Sequence, residues 1–371
     1  MTARAPTLHA AVHRPRERDR SSVALLWWIG LPALAGALIL SATLGAYALS
    51  LADLGHLWAL WTRPAGSELE PELAGAQVFW HIRAPRILMA ALAGSALGLS
   101  GALVQGLFRN PLADPGLIGV SAGSALGAAT CIVLLPWTGW VSAGFAVGLS
   151  GVAITMVAAF VGGLSATALA WTLARRHGRV DVAQLLLVGI AINALAGTAL
   201  GLLTYLANDT QLRALSVWLR GSLSPSQWNS VMAVAPCVLL ALLACRAMTA
   251  ALDAFALGEA QARLMGVDVA RMQRQAVVLS AVAVGAVTAV VGMVGFIGLV
   301  APHLVRRLAG PRHRVVLPGS ALLGATLVLL ADTAARTLFA PTEMPLGVLT
   351  GLIGAPAFLW LLKRRTAALP T

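Results

Sequence analysis

Lysine is almost missing from this 371-residue chain, because Lys363 is the single lysine among its 26 basic residues. A phosphate-binding loop needs the pattern G-x-x-x-x-G-K-[ST], whose lysine reaches the phosphates of the nucleotide. The sequence around Lys363 does not contain this pattern. The chain therefore cannot hydrolyse ATP by the phosphate-loop route.

Motifs for metal binding, disulfide bonding and nucleophilic catalysis are missing as well. The three cysteines lie in apolar blocks without a metal-binding or disulfide spacing, and the seven histidines are scattered. Ser121 and Ser124 lie among glycines, with no evident base and no strand-turn-helix elbow. We therefore predict a non-catalytic chain that holds no metal and no cofactor of its own.

Charged residues are scarce, at 11% of the chain, whereas 58% of the residues are hydrophobic. Apolar blocks of about 20 residues, the length of a helix that crosses a bilayer, recur along nearly the whole chain. No polar stretch is long enough to fold as a soluble domain. The sequence therefore predicts an all-α polytopic membrane protein with one transmembrane domain, residues 22–365.

Ten membrane spans are predicted from the apolar blocks. They cover 23–50, 84–108, 115–136, 141–174, 182–206, 228–249, 274–293, 295–308, 316–339 and 344–363. With the N-terminus in the cytoplasm, most basic residues fall on the inner side, as the positive-inside rule requires. An even number of spans then places both termini in the cytoplasm, and the net charge of +12 reflects topology and not nucleic-acid binding.

Four of the segments outside these spans carry predictions of their own. Residues 1–21 are predicted to be a disordered basic cytoplasmic tail, 51–82 an external loop and 366–371 a C-terminal tail. Residues 250–273 face the inside and are predicted to form two short amphipathic helices broken at Gly266. Such helices either lie on the membrane surface or provide a platform for a soluble partner.

One acidic residue, Asp332, lies well inside a predicted span. Transport driven by an ion gradient would need acidic carriers within the membrane. Arg336 follows four residues later, at ion-pair spacing on the same helix face. This spacing favours a structural role for Asp332, while gradient-driven transport stays open as an alternative.

Seven motifs occur together in a family-specific order. They are RAPR (83–86), SGALVQGLFRNPLADPGLIGVSAGSALG (100–127), WLRGSLS (218–224), ARLMGVDVARM (262–272), GFIGLVAPHLVRRLAGPRHRVVLPGSALLGA (295–325), LLADTAART (329–337) and EMPLGVLTGLIGAPAFLWLL (343–362). Through these motifs the chain resembles the permease subunits of ATP-binding-cassette importers for ferric siderophores, haem and cobalamin. The resemblance covers about residues 79 to 365.

The resemblance implies a homodimer in the bacterial inner membrane, with two cytoplasmic ATPase subunits and a periplasmic substrate-binding protein. ATP and Mg²⁺ would be used by the ATPase, and no cofactor would be bound in the permease itself. The stretch TYLANDTQLRALSVWLRGSLS (204–224) is most similar to the haem-permease branch. Haem is therefore the expected cargo, with a ferric siderophore or cobalamin as the alternatives.

The polar turn at residues 109–115 interrupts the apolar pattern. Asn110 precedes a proline and is biased away from helix, Asp114 suits a helix N-cap, and Pro115 suits the first helical position. The small residues at 116–124 then predict a helix face that packs closely against a neighbour.

The resemblance assigns residues of this chain to three roles. The cytoplasmic gate would be formed by Asn110 and Leu112 and, where the family pattern is looser, by Asp181 and Val182. Docking of the binding protein would use Arg83, Arg86 and Arg336. Coupling to the ATPase would use Gly258, Glu259, Ala262, Leu264 and Gly266.

Overall fold

The computed structural model describes residues 15–45, 74–138, 151–176, 179–340 and 342–366. These ranges consist mainly of helices joined by turns, with one β hairpin of two two-residue strands, which confirms the all-helical class. The main helices up to residue 244 are α1 (Pro15–Thr43), α2 (Ala84–Phe108), α3 (Val120–Leu134), α4 (Gly151–Leu173), α5 (Val182–Leu206), α6 (Asp209–Arg220) and α7 (Trp228–Ala244). The others are α8 (Thr249–Ala256), α9 (Glu259–Leu264), α10 (Val269–Val291), α11 (Ile297–Ala309), α12 (His313–Thr337) and α13 (Leu346–Thr366).

Short elements join several of these helices. An α-helical turn (Ala74–Val78) and a π-helical turn (Phe79–Arg83) lead directly into α2. Turns of 3-10 helix cover Pro115–Ile118, Leu135–Thr138 and Cys245–Met248. The hairpin pairs β1 (Arg175–Arg176) with β2 (Arg179–Val180) between α4 and α5.

Six helical segments of the described chain are long and apolar enough to cross a membrane. They are Gly75–Phe108, Gly151–Leu173, Val182–Leu206, Trp228–Ala256, Val269–Val291 and His313–Thr337. Shorter apolar helices cover Trp27–Thr43, Val120–Leu134 and Leu346–Leu359. The protein is therefore a multi-pass membrane protein, while ten spans and two cytoplasmic termini stay predictions.

Several boundaries differ from those predicted. Helix α1 begins at Pro15, whereas the apolar pattern predicted a start at residue 23. The earlier start follows from a proline at the first helical position and from polar helix formers, which extend the helix beyond its apolar part. The predicted external loop is helical from Ala74 onward, and its residues 51–73 lie outside the described residues. Residues 1–14 and 367–371 of the predicted tails also lie outside them.

Helix α6 is an amphipathic element that the span prediction missed. Asn208 caps it, accepting a hydrogen bond from Gln211 N–H (2.9 Å), while the Gln211 side chain accepts one from Asn208 N–H (3.0 Å). This reciprocal arrangement is a capping box built from Asn and Gln. Its short length and polar face hid it from a search for 20-residue apolar blocks.

Helix α2 lies at the centre of the molecule and packs against α7, α10, α11 and α12. Its contact with α12 needs residues without side chains. A Cβ atom at Gly98 would lie 2.0 Å from the Ser320 carbonyl oxygen, and one at Gly94 would lie 2.1 Å from the Gly324 carbonyl oxygen. The two backbones therefore approach as closely as small residues allow in a membrane protein.

The small residues after the polar turn pack in the same way. A Cβ atom at Gly123 of α3 would lie 2.4 Å from the Gly162 carbonyl oxygen of α4. This contact confirms that the small face predicted for 116–124 serves close helix packing. Helices α4 and α5 are otherwise mostly exposed, whereas α2, α10 and α12 are mostly buried.

Candidate functional site

Arg86 forms the centre of an ionic cluster near the start of α2. Its guanidinium donates to both carboxylate oxygens of Asp332, with Nη2 2.9 Å from Oδ1 and Nε 3.1 Å from Oδ2. It also donates to Glu343, with Nη1 2.9 Å from Oε1 and Nη2 3.0 Å from Oε2. The Asp332 side chain is 2% exposed. One planar guanidinium thus binds two carboxylates in the fork geometry that favours arginine.

The predicted pairing of Asp332 with Arg336 is present, but it is the weaker of two. Arg336 Nε lies 3.4 Å from Asp332 Oδ2, whereas Arg86 forms shorter hydrogen bonds to the same carboxylate. Sequence spacing could reveal only the partner four residues away on the same helix. The stronger partner is 246 residues earlier in the chain.

Arg83 and Arg336 both contact the C-terminal end of α1. Arg83 Nη1 donates to the Ala42 and Thr43 carbonyl oxygens, the second at 3.1 Å. Arg336 donates to the Ser41 and Leu44 carbonyl oxygens, the second through Nη1 at 2.7 Å. The last four carbonyls of a helix have no partner within the helix, and cations near them are favoured by the helix dipole. Two arginines from distant segments supply those partners.

Glu343 closes the cluster on its exposed side. Burial would raise the pKa of Glu343. This effect is outweighed by hydrogen bonds from Arg86 and from Ser224 Oγ (2.5 Å) and by the positive charges of Arg86 and Arg336. The pKa of this carboxyl therefore lies below its ordinary value, and Glu343 is ionised at neutral pH.

The three arginines predicted to dock a binding protein thus come together, but they point inward. Arg83 and Arg336 are 5% and 8% exposed, and the Arg86 side chain is 11% exposed. Arg83 and Arg86 were expected to share one outer face of a helix, yet one reaches α1 and the other reaches α12. Their docking role stays a prediction.

The polar turn has the local structure that its sequence predicts. Asn110 Oδ1 accepts a hydrogen bond from Leu112 N–H (3.0 Å), and Asp114 Oδ1 accepts one from Gly116 N–H (2.8 Å) as the N-cap of the 3-10 turn. Pro115 occupies the first position of that turn. Burial raises the pKa of the Asp114 carboxyl, although the bond from Gly116 opposes the shift.

Arg109 ends α2 in a strained conformation. Its φ of 47° lies in the left-handed region, and Phe296 is the only other non-glycine residue there among the described residues. Its guanidinium carbon lies 5.3 Å from the centroid of the Phe255 ring in α8, within the range of a cation–π contact. The sequence did not single out this pair, because nothing in either motif places them together.

The second predicted gate lies at the start of α5. Asp181 caps this helix, accepting a hydrogen bond from Ala183 N–H (2.9 Å), and Val182 is its first residue. Asp181 is exposed and Val182 is half-buried. Both predicted residues therefore lie at the N-terminal end of α5 and not within the packed part of the helix.

A cavity of about 610 Å³ brings the two gate segments together with the coupling segment. Its lining residues are Phe108, Arg109, Asn110, Val180, Asp181, Val182, Ala183, Leu186, Phe255 and Glu259. Three of the four predicted gate residues and one predicted coupling residue are among them. Leu112, the fourth gate residue, is exposed and does not line this cavity.

The predicted coupling segment consists of α8, α9 and the turns beside them. The predicted break at Gly266 (φ 81°) is present between α9 and α10, and a second break at Gly258 (φ 126°), which was not predicted, separates α8 from α9. Glycine adopts both conformations without the cost that a side chain would add. Residue periodicity did not reveal the additional break at Gly258, because it lies only eight residues before the one at Gly266.

Helix α9 presents an apolar tip to solvent. Leu264 is 87% exposed and Met265 is 64% exposed, whereas Ala262 is fully buried against the rest of the chain. Glu259 pairs with Arg263 one turn later on the same helix (2.5 Å). Large exposed apolar side chains beside charged ones are typical of a surface that another protein covers.

Comparison with known proteins places these features in a family. The profile of the FecCD transport family matches residues 28–364. The chain is 44% identical over 294 residues to the hemin transport system permease protein HmuU of Yersinia pestis, covering 77% of this chain and 84% of that one. It is 37% identical over 328 residues to the cobalamin import system permease protein BtuC of Halobacterium salinarum, covering 88% and 84%.

A solved structure has the same fold. It is described as an inward-facing conformation of a metal-chelate type ABC transporter, and it superposes with a TM-score of 0.77 at 30% identity, covering 92% of this chain and 99% of that one. These matches confirm the family that the seven motifs indicate. The chain belongs to the FecCD transport family and is a membrane permease of the ATP-binding-cassette importer type.

Proposed function

We propose that the chain is the translocation subunit of an importer that moves haem from a periplasmic binding protein across the bacterial inner membrane into the cytoplasm. The path would lie between two copies of the chain, and two cytoplasmic ATPase subunits would drive the cycle. The observation that carries this proposal is the 610 Å³ cavity, in which both gate segments and the coupling segment meet. Because α9 lines this cavity, a movement of α9 would be transmitted directly to the gate residues.

Asn110, Asp181 and Val182 act in this proposal as the inner constriction of the path, with Leu112 beside it. Asn110 and Asp181 are exposed to the cavity and bring polar groups to its mouth. Arg109 links the same turn to α8 through Phe255. This contact offers a mechanical route from the ATPase-facing helices to the gate.

Helices α8 and α9 would provide the ATPase-binding surface. The exposed Leu264 and Met265 supply apolar area at the centre of such a contact, and Gly258 and Gly266 set the shape of the segment around them. An interface of this kind depends mostly on a few well-buried apolar anchors.

Replacing both apolar residues tests this surface. Leu264→Gln with Met265→Gln should lower the amount of ATPase that co-purifies with the chain by about tenfold or more, because these side chains are exposed and the fold does not need them. The matched control is Leu338→Gln with Phe339→Gln, which removes two exposed apolar side chains at the far end of α12. Equal co-purification of both variants would contradict the coupling assignment.

Haem is proposed as the cargo because of the segment 204–224 and the 44% identity to a hemin permease. The cobalamin permeases among the relatives keep cobalamin as an alternative, and a ferric siderophore is the other. The gradient-driven alternative is less well supported, because both Arg86 and Arg336 already engage Asp332. A buried carboxylate that is hydrogen-bonded to one arginine and paired with a second is typical of a structural ion pair.

Reconstituted transport tests the proposal. We would reconstitute the chain and its cognate ATPase into liposomes and add a haem-loaded binding protein. Haem uptake is then measured with and without ATP. Asn110→Trp, which fills the cavity mouth, should reduce ATP-dependent uptake at least tenfold, whereas Leu338→Trp, at an exposed position away from it, should not.

Three further outcomes have distinct meanings. ATPase activity that responds to the binding protein without haem uptake would transfer the cargo assignment to cobalamin or a siderophore. Uptake that needs a proton gradient and no ATPase would favour the gradient-driven alternative. Normal uptake by Asn110→Trp would show that this cavity is not part of the path.

A further inference from the structure

A second cavity, of about 240 Å³, lies where α4 ends and α10 begins. It is lined by Trp171, Arg175, Val180, Asp268, Ala270, Arg271 and Arg274. This cavity shares only Val180 with the candidate gate cavity. Three of its seven lining residues are arginines, although the chain as a whole carries few charges.

The three arginines are not neutralised by the protein. Arg175, Arg271 and Arg274 are exposed, and none of them forms an ion pair with another residue in the described ranges. Asp268 is the one acidic lining residue, and its carboxylate accepts a hydrogen bond from Arg271 N–H (3.0 Å) as the N-cap of α10. The cavity therefore has an excess of positive charge and suits an anion.

The surroundings of the arginines restrict what that anion can be. Helices α4 and α10 are both long apolar segments, so the cavity lies at the boundary where membrane-spanning helices meet the polar surface. Trp171, beside the arginines, is of a residue type enriched at that boundary. Helix α4, which ends beside the cavity, is mostly exposed along its apolar length and offers apolar surface that leads up to the charged residues.

We propose that this cavity binds the phosphate of an anionic phospholipid headgroup, with the acyl chains lying along the exposed apolar side of α4. Arginine guanidinium groups bind phosphate oxygens through paired N–H donors. Basic pockets between membrane helices are suited to acidic headgroups. A soluble anion or an acidic protein surface would use the arginines but would leave the exposed apolar side of α4 without a partner.

Native mass spectrometry of the full-length chain in a non-ionic detergent tests the site. The probes are dioleoyl phosphatidylglycerol and dioleoyl phosphatidylcholine, which share acyl chains and differ in headgroup charge. The wild-type chain should retain phosphatidylglycerol preferentially. Arg175→Gln with Arg271→Gln and Arg274→Gln should weaken its binding by about tenfold or more, since each arginine contributes roughly a fivefold effect.

The matched control removes the same number of charges elsewhere. Arg246→Gln with Arg307→Gln and Arg314→Gln changes three other exposed arginines, which fall on the same predicted side of the membrane and do not line the cavity. This control variant should retain the wild-type preference for phosphatidylglycerol. Equal loss in both triple variants would overturn the proposal, because it would show a general charge effect.

A second measurement does not depend on any variant. sn-Glycerol 3-phosphate is added to the wild-type chain carrying phosphatidylglycerol, at the same concentration as the lipid. Retention of the lipid supports a site that uses headgroup and acyl chains together, whereas full displacement would overturn it in favour of a free-phosphate site. The assay needs neither ATPase nor cargo, so its failure would leave the proposed transport function unaffected.

Discussion

At the scale of single residues, Arg86 shows how a membrane protein keeps charges inside its helices. Removing a carboxylate from water is costly unless it is paired and hydrogen-bonded. Asp332 is almost fully buried and obtains this pairing from Arg86, with Arg336 as a second and more distant cation. Glu343 then binds the remaining face of the same guanidinium.

Arg86→Gln should therefore be strongly destabilising. It removes the closest partner of a buried carboxylate, and breaking a buried pair from one side typically costs about 3 kcal/mol or more. Thermal unfolding of the purified chain in detergent measures the loss. Arg220→Gln is the control, because Arg220 is exposed and, among the residues that the structure describes, its side chain donates only to the Ser216 carbonyl oxygen within its own helix.

The double variant Arg86→Gln with Asp332→Asn distinguishes charge from shape. It leaves no uncompensated carboxylate at position 332, so it should recover part of the stability that Arg86→Gln alone loses. A double variant as unstable as the sum of its two single variants would contradict the pairing.

Glu343 predicts a defined pH dependence. Its pKa is lowered in the folded protein, so the folded state binds fewer protons than the unfolded state as the pH falls below the ordinary value of 4.5. The stabilisation by Glu343 should be fully present above about pH 5. It should be lost as the pH falls through the lowered folded pKa.

The variant Glu343→Gln provides the measurement. Its melting temperature should lie below that of the wild type at pH 7, and the difference should shrink as the pH falls below about 4.5. A difference that stays constant down to pH 3 would show that the charge of Glu343 does not contribute.

At the scale of helices, the sequence predicted which helices are present better than it predicted where they begin and end. Twenty-residue apolar blocks identify buried and lipid-facing helices alike, so α2, α5 and α12 were located within a few residues. Helix α6 and the early starts of α1 and α10 were missed, because polar residues at helix ends carry no hydropathy signal. Capping residues such as Asn208 were the available signal.

Because α2 packs closely against α12, a glycine-to-alanine substitution in α2 should change the stability in the direction opposite to the usual one. An alanine in place of glycine normally stabilises a helix by about 0.5–1 kcal/mol. Gly98→Ala should instead destabilise the protein by about 2 kcal/mol, because its Cβ would lie 2.0 Å from a backbone oxygen of α12. Both backbones would have to shift.

Gly197→Ala is the matched control within the same protein. A Cβ atom at Gly197 of α5 meets nothing within 4 Å, so only the helix-propensity gain should operate. Thermal unfolding in one detergent should move in opposite directions for the two variants. A similar shift for both would mean that α2 and α12 are not in close contact.

At the scale of the whole molecule, the sites show where sequence reasoning stops. The family resemblance indicated the segments around Asn110 and Glu259 and, through a looser pattern, Asp181, and the fold brings all three to one cavity. The contact between Arg109 and Phe255 and the pair of Arg86 with Asp332 could not be predicted. Both join segments far apart in sequence, and the distance between such segments is set by helix packing.

Topology is a whole-molecule property that reporter fusions can test. The positive-inside rule predicts cytoplasmic termini and an external segment at 51–82. Alkaline phosphatase fused after residue 371 should stay inactive, and the same reporter fused after residue 60 should be active, because it folds only outside the cytoplasm. Activity at both positions would require an odd number of spans.

The contacts at the end of α1 also bear on how the protein is made. Leu44 and the arginine that binds its carbonyl are 292 residues apart. At roughly 5–20 residues per second, translation needs roughly 15–60 s to cover that interval. Arg83 follows Thr43 by only 40 residues and can bind the Ala42 and Thr43 carbonyls early, whereas the Ser41 and Leu44 carbonyls obtain their arginine only when residue 336 has been made. The contacts at the end of the N-terminal helix are therefore completed late in biogenesis, and a ribosome that stalls before residue 336 leaves the Ser41 and Leu44 carbonyls without this arginine.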